Sequence, residues 1–91
     1  MIIDIQELKT LDIDQPIIVT WVDAYDAVGE IELTGESLDI PTVTYDTIGF
    51  FIGYTKEYLT VGYNKEIGTN TYRNYGSTPI SCIKLIKTLG D

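Results

Sequence analysis

Apolar and polar residues alternate most clearly in the middle of the chain, over residues 43–54. This stretch is rich in β-branched and aromatic residues, which suit the pleated surface of a strand. Period-two alternation predicts one face with Ile48, Phe50, Ile52 and Tyr54 and another with Val43, Tyr45 and Phe51. Because both faces are apolar, we expect this strand to be partly buried on both sides, in a small barrel or at an oligomer interface.

A β-hairpin is predicted to follow directly from this strand. Residues 55–57 form a short polar reversal, and alternation resumes over residues 58–63. Gly49, Gly53 and Gly62 lie inside the two predicted strands. Glycines at such positions indicate bends or bulges of the kind that a tightly curved sheet needs.

The remaining segments divide into one further strand and several connections. Residues 16–23 form an apolar run of strand length that opens with a proline. Residues 29–33 alternate acidic and aliphatic side chains, which predicts either a short exposed strand or a loop. Residues 34–42 and 66–71 are polar, contain glycine and are predicted as loops.

Both ends of the chain leave alternatives open. The spacing of Cys82, Leu85, Ile86 and Leu89 predicts a helix, yet residues 81–87 also suit a turn that leads into a last strand. At the other end, the apolar side chains of residues 1–15 could add a strand to the sheet edge, form a short helix over it, or pair with a neighbouring protomer.

The charge of the chain is strongly acidic and unevenly distributed. Fourteen acidic and six basic residues give a net charge of −8, and residues 1–46 hold eleven of the acids against Lys9 alone. A negative field repels phosphate backbones, so we expect no duplex nucleic acid as a partner. The acidic half either maintains solubility or engages a basic partner, including by imitating nucleic acid.

The length of 91 residues predicts a single domain, 1–91, with residues 1–15 as an N-terminal extension. A core this small makes a homo-oligomer a reasonable expectation. No apolar run approaches the roughly 18 residues of a membrane span, and the first residues lack the features of a signal peptide. A single cysteine excludes an internal disulfide. Together these features predict a cytoplasmic protein that does not bind membranes.

The residue types of common catalytic sites are missing from the sequence. There is no histidine, which removes the usual general base, the commonest zinc ligand and the serine and cysteine triads. No glycine-rich phosphate motif is present, and Asp12 and Asp14 lack the residues that would complete a calcium loop. We therefore expect no enzyme, no metal and no cofactor. Cys82 and Trp21 are interpreted as core residues.

Four carboxylates form the first set of candidate binding residues. Asp23 is the last residue of the predicted strand 16–23, and Asp26, Glu30 and Glu32 follow it in the sequence. In pairs they could hold Mg²⁺ or perform acid–base chemistry, although a solvated acidic loop is the simpler interpretation. As a group they would steer a basic partner protein.

A second set gathers aromatic and basic side chains in the less acidic half of the chain. It comprises Tyr63, Lys65, Tyr72, Arg73 and Tyr75. Tyrosine and arginine are enriched in recognition surfaces, and they also stack on bases and pair with phosphates. The alternative interpretation is an ordinary strand edge with tyrosines beside a polar loop.

Four short motifs follow one another within residues 16–89: VTWVDA at 19–24, TIGFFI at 47–52, YLTV at 58–61 and TPISCIKLI at 78–86. In order and spacing they resemble a family of small, mostly uncharacterised phage and prophage proteins. The resemblance implies an all-β, five-stranded SH3-like barrel over residues 16–89, with a 3₁₀ turn at Ile80–Cys82 before the last strand, 83–89. It also implies a phage accessory protein in the bacterial cytoplasm and supplies no activity. Family members often carry a second tryptophan where this chain has residues 29–31.

Three functional hypotheses follow. The leading one is a non-enzymatic phage protein that occupies the surface of a host protein, such as a defence protein, by acidic steering and tyrosine anchoring. The second is an oligomeric sponge that sequesters a nucleotide immune signal through Arg73, Lys65 and the nearby tyrosines. The third is a minor structural component of the virion, for which the sequence offers no positive feature.

Overall fold

Six strands and two short 3₁₀ helices make up the fold. The computed structural model describes residues 1–23 and 43–90. The strands are β1 (Ile2–Ile3), β2 (Pro16–Asp23), β3 (Val43–Tyr54), β4 (Tyr58–Lys65), β5 (Tyr72–Pro79) and β6 (Ile83–Thr88), and the 3₁₀ helices are Ile5–Thr10 and Ile80–Cys82. The prediction of an all-β protein is confirmed.

The strands form one antiparallel sheet in the order β1-β6-β2-β3-β4-β5. Strands β2 to β6 come from residues 16–89, and the N-terminal extension adds β1 beside β6. Within the described residues no pairing joins β5 to β1, so the sheet is open. The finer prediction of a closed, five-stranded SH3-like barrel is therefore not confirmed, because a sixth strand occupies the edge of β6 and the sheet is not closed.

The predicted hairpin between β3 and β4 is present, and a bulge interrupts its pairing. Phe50 lies opposite Gly62, but the register shifts between Phe51 and Gly53. This extra residue rotates the end of β3, so that Tyr54 pairs with Leu59 and its ring lies 6.4 Å from that of Phe51. The prediction that Tyr54 shares a face with Phe50 is wrong, because a bulge breaks the period of two.

One face of the sheet forms the core, and the N-terminal extension covers part of it. The buried side chains are Ile3, Leu8, Ile17, Val19, Phe51, Leu59, Val61, Ile83 and Ile86. Trp21 is half-buried at the margin of this cluster, where it stacks on Tyr45 at 5.0 Å and donates a hydrogen bond from Nε1 to Thr47. Trp21 was predicted as a core residue, but it lies only at the margin of the core.

The N-terminal extension combines two of the three structures expected for it. After β1, Asp4 caps the first 3₁₀ helix by accepting a hydrogen bond from the Gln6 N–H, while Glu7 accepts one from the Asp4 N–H. This cap turns the chain across the core face and buries Leu8 to 3% exposure. The extension thus both lengthens the sheet and covers its core.

The carboxyl end is a strand and not a helix. The 3₁₀ helix Ile80–Cys82 and the strand that follows it agree with what the family resemblance implies. Strand β6 lies between β1 and β2 and pairs with both. Pairing on both sides satisfies its backbone groups, and this tertiary environment decides what the helical spacing alone could not. Cys82 is half-buried and has a free thiol.

Candidate functional site

Of the four predicted acidic residues, only Asp23 lies in the described part of the chain. It ends β2 opposite Val43, and its side chain is exposed to solvent. Asp26, Glu30 and Glu32 lie outside the described residues, as do the predicted elements 29–33 and 34–42. In sequence, residues 24–42 carry five carboxylates and no basic residue, so the negative charge of the protein is concentrated next to Asp23.

Tyr63 is a packing residue of the core face. A side chain at Gly49 would come within 3.3 Å of its ring, and one at Gly76 would come within 3.1 Å of its hydroxyl oxygen. The phenol therefore lies across two glycines on neighbouring strands. Burial removes water from the phenol and raises the pKa of Tyr63 above its usual value, because the charged phenolate loses solvation. Such a ring offers little surface to a ligand.

Lys65 and Tyr72 lie opposite each other on β4 and β5, and both are held by neighbours. The Lys65 ammonium forms an ion pair with Asp14, and it lies 6.0 Å from the centre of the Phe50 ring. The Tyr72 ring lies 5.9 Å from that of Phe50 and packs against Gly62. Together these residues form a partly buried cluster that fastens the segment before β2 to the end of the β4–β5 hairpin.

Two polar atoms in this cluster have no hydrogen-bond partner among the described residues. They are Oδ1 of Asp14 and the hydroxyl oxygen of Tyr72, both buried from solvent. Asp14 also has a positive φ of 79°, a conformation that aspartate tolerates better than most residues. Asp14 and Phe50 were not predicted as site residues, because they lie far from Lys65 along the chain and no local motif connects them.

Arg73 and Tyr75 are the two members of the second predicted set that remain accessible. Both side chains are exposed on β5, and Tyr75 retains 75% of its surface. Tyr75 lies opposite Gly62 of β4. The structure thus separates the five predicted residues into three that pack within the protein and two that lie on an edge strand.

The sheet face opposite the core carries exposed aliphatic residues that sequence analysis did not select as a site. Cross-strand pairing aligns Ile2, Lys87, Ile18 and Ile48 in one row across β1, β6, β2 and β3. Ile2 is 62% exposed and Ile48 61%, and Leu85 of the adjacent row is 37% exposed. We call Ile2, Ile18, Ile48 and Leu85 the open-face patch.

Polar residues border the open-face patch. Asp46 lies one row from Ile48, and its carboxylate accepts a hydrogen bond of 2.6 Å from the Thr20 hydroxyl. Lys87 lies between Ile2 and Ile18 in the row itself. An apolar centre with a polar margin is the usual organisation of a protein–protein contact.

Residues 1–23 and 43–90 contain no group of three or more acidic or cysteine side chains placed to hold a metal ion. Within the same ranges no helix has the length and apolar character needed to cross a membrane. Comparisons with protein-family models, with curated proteins and with solved structures found no match for this chain.

Proposed function

We propose that this protein is a non-enzymatic binding protein that docks a basic protein partner on its open-face patch. The observation that carries this proposal is the row of isoleucines across β1, β2 and β3, in which Ile2 and Ile48 are exposed and Ile18 is half-buried. Single exposed apolar residues are normal, but a group of apolar residues on one sheet face, here interrupted by Lys87, is typical of a contact surface. Side chains on a paired sheet are held in place before binding, which lowers the entropic cost of association.

Charge defines the chemistry of the partner. The whole chain carries −8, with five carboxylates in residues 24–42 directly after Asp23. Asp46 adds a carboxylate at the margin of the open-face patch. These charges accelerate encounter with a positively charged protein and repel an acidic one. The acidic residues thus select the partner, and the isoleucines supply the buried area.

The biological setting is carried by the resemblance to phage proteins. We propose a phage-type accessory protein that acts in the bacterial cytoplasm on a host protein, such as a component of antiviral defence. The order β6-β2-β3-β4-β5, with a 3₁₀ helix before the last strand, supports an SH3-like arrangement of residues 16–89, with β1 as an addition. An experimental structure that traced a different strand order would overturn this part of the proposal.

A nucleotide sponge is the weaker alternative. A phosphate pocket needs converging donors that are free to turn toward a ligand. Lys65 is instead paired with Asp14, and the Tyr72 ring is packed on Phe50. Arg73 and Tyr75 remain, but one cation and one aromatic ring on an edge strand make a poor nucleotide site.

The test compares two substitutions that place a lysine on the surface. Ile48→Lys puts a charge in the centre of the open-face patch, whereas Ile67→Lys changes a residue that is 97% exposed in the β4–β5 turn region. A basic host protein captured by the wild type at low salt is purified, and its affinity for each variant is measured by isothermal titration calorimetry. We expect Ile48→Lys to weaken binding at least about 10-fold and Ile67→Lys to leave it unchanged.

Two results would contradict the proposal. In one, the captured partner binds Ile48→Lys as tightly as it binds the wild type. In the other, binding does not weaken as salt rises from about 50 to 300 mM, which would exclude acidic steering. Because capture alone proves little, the comparison of variants with the purified partner is the decisive measurement.

A further inference from the structure

The two edges of the sheet differ in what they expose. At one edge β1 pairs with β6 over two residues, and the chain then turns into the first 3₁₀ helix. At the other edge β5 spans eight residues, Tyr72–Pro79, and keeps one register with β4 from Tyr58 to Lys65. The second edge is therefore long and regular, whereas the first is short.

The direction of the β5 backbone groups follows from the hydrogen bonds of the inner strands. Phe51 donates its N–H to the Gln15 carbonyl at 2.8 Å, so its backbone faces the β2 side. Backbone direction alternates along a strand, so Phe50 faces β4, where it lies opposite Gly62. Gly62 therefore faces away from β5, and its neighbours on either side face toward β5. The residues of β5 whose N–H and C=O groups point out of the sheet are then Tyr75 and Ser77. The alternation changes near Arg73, where Glu66 donates its N–H to the Thr71 carbonyl and Asn64 has a positive φ of 54°.

A separate hydrogen bond indicates the same direction for the backbone groups of β5. Ile80 donates its N–H to the Glu57 carbonyl at 2.8 Å, one position beyond the end of the β4–β5 ladder. Counting back in steps of two from this bonded pair again leaves Ser77 and Tyr75 facing outward. Within residues 1–23 and 43–90 no strand pairs with this side of β5.

Strand β5 lacks the devices by which proteins usually block an edge. It contains no lysine, its only proline is its last residue, and its register with β4 does not shift, with an irregularity only at Asn64, where φ is 54°. A row of unpaired backbone groups on such a strand is a template for another strand. The edge is therefore suited to pairing, and its side chains determine what can pair with it.

We propose that β5 pairs with β5 of a second copy of this chain, antiparallel and about a two-fold axis at Tyr75. In this register Tyr75 lies opposite Tyr75 of the copy, and Arg73 lies opposite Ser77. The outward residue Tyr75 then donates and accepts a backbone hydrogen bond across the axis, and the outward N–H of Ser77 faces Arg73 of the copy. An isologous contact of this kind satisfies both edges at once.

Charge favours a second copy over a foreign basic strand at this edge. Strands β4 and β5 contain no carboxylate, so the repulsion expected between two chains of charge −8 is weakest here. Arg73 carries the only charge on β5, and the proposed register places it opposite a serine and not opposite its own copy. A basic partner would be repelled by Arg73 and drawn to the acidic residues elsewhere.

The test measures self-association by sedimentation equilibrium from about 1 μM to 1 mM, for the wild type and two variants. Tyr75→Pro removes an outward N–H without breaking a bond to β4, since proline is tolerated on an edge strand. We expect a reversible dimer whose dissociation constant rises about 10- to 100-fold in Tyr75→Pro, because two symmetry-related hydrogen bonds are lost. Lys84→Gln, which changes an exposed residue of β6 on the opposite side of the sheet, is expected to dimerise like the wild type.

An NMR experiment on a sample mixed from labelled and unlabelled chains tests the register itself. The proposed pairing places Asn74 opposite Gly76 of the copy, as a non-hydrogen-bonded pair about 4.5 Å apart at Cα. We expect inter-chain contacts between these two residues and concentration-dependent protection of the Tyr75 and Ser77 amides. A monomer throughout the concentration range, or a Tyr75→Pro dimer as tight as the wild type, would overturn the proposal. The open-face patch uses other residues, so neither result bears on partner binding.

Discussion

Gly62 occupies a position where even one methyl group is expected to be too large. A Cβ built at Gly62 would lie 2.7 Å from Cδ1 and Cγ of Tyr72 and 2.8 Å from Cδ1 of Ile52. Distances below 3.0 Å are almost never seen for real Cβ atoms, so something must move. The tyrosine ring cannot turn away cheaply, because it packs on Phe50 and its hydroxyl is buried. We therefore expect Gly62→Ala to lower the free energy of unfolding by about 1–3 kcal/mol.

A second glycine on the neighbouring strand provides the matched control. Gly53 has an ordinary negative φ, and a Cβ there would meet no heavy atom within 4 Å. Gly53→Ala should therefore raise the free energy of unfolding by about 0.4–1 kcal/mol, because it restricts the unfolded chain without a clash. The same substitution is thus expected to have opposite signs at two positions of one hairpin.

The assay is urea denaturation followed by circular dichroism for the single variants and for Gly62→Ala in a Tyr72→Ala background. Removing the tyrosine ring opens the space that the new methyl group needs, so the cost of Gly62→Ala should fall by about 1–2 kcal/mol in that background. A Gly62→Ala variant as stable as the wild type would contradict the expected clash. An unchanged cost of Gly62→Ala in the Tyr72→Ala background would also contradict the clash with the tyrosine ring. The destabilisation would then come from the β4 backbone.

Two further substitutions test the core and its ionisation. Leu59 is 1% exposed, so Leu59→Ala should lower the free energy of unfolding, measured in urea, by about 2–5 kcal/mol. Leu85→Ala on the open face should lower it by less than about 1 kcal/mol. Equal losses in the two variants would contradict the assigned core. The folded pKa of Tyr63 is raised above 10.0. The stability that the neutral phenol contributes is therefore fully present below about pH 10 and is lost as pH rises through the folded pKa. Urea denaturation at about pH 9 and 11 should show a smaller alkaline loss of stability in Tyr63→Phe than in the wild type; an equal loss in the two proteins would refute the assignment.

Strands with apolar alternation could be predicted from the sequence, and β5 could not. Residues 16–23, 43–54 and 58–63 contain β-branched and aromatic residues in alternation, and each lies in a strand. The core-facing positions of β5 are instead Asn74, Gly76 and Thr78, which give no apolar signal. This strand is held chiefly by backbone pairing to β4 and by the Tyr63 ring that lies over Gly76.

The functional surfaces depend on contacts that local sequence patterns do not encode. Residues Asp14 and Lys65 are 51 positions apart, and only the folded sheet shows that the predicted ligand Lys65 is already paired. The open-face patch likewise joins residues from four strands that are distant in sequence. The alternation of β3 predicted two apolar faces, but without the strand order no pattern shows which face stays uncovered.

The unequal edges of the sheet also limit the size of the proposed assembly. A chain with two open edges can add copies without end, because each added chain presents a new edge. Here the N-terminal segment leaves one edge short: Met1 and Thr88 exchange hydrogen bonds at the end of β6, and Asp4 then caps a helix that leads the chain over the core face. Within residues 1–23 and 43–90, β5 is the only edge strand long enough to pair. A contact through β5 uses that edge in both copies, so it closes as a dimer and does not extend into a filament.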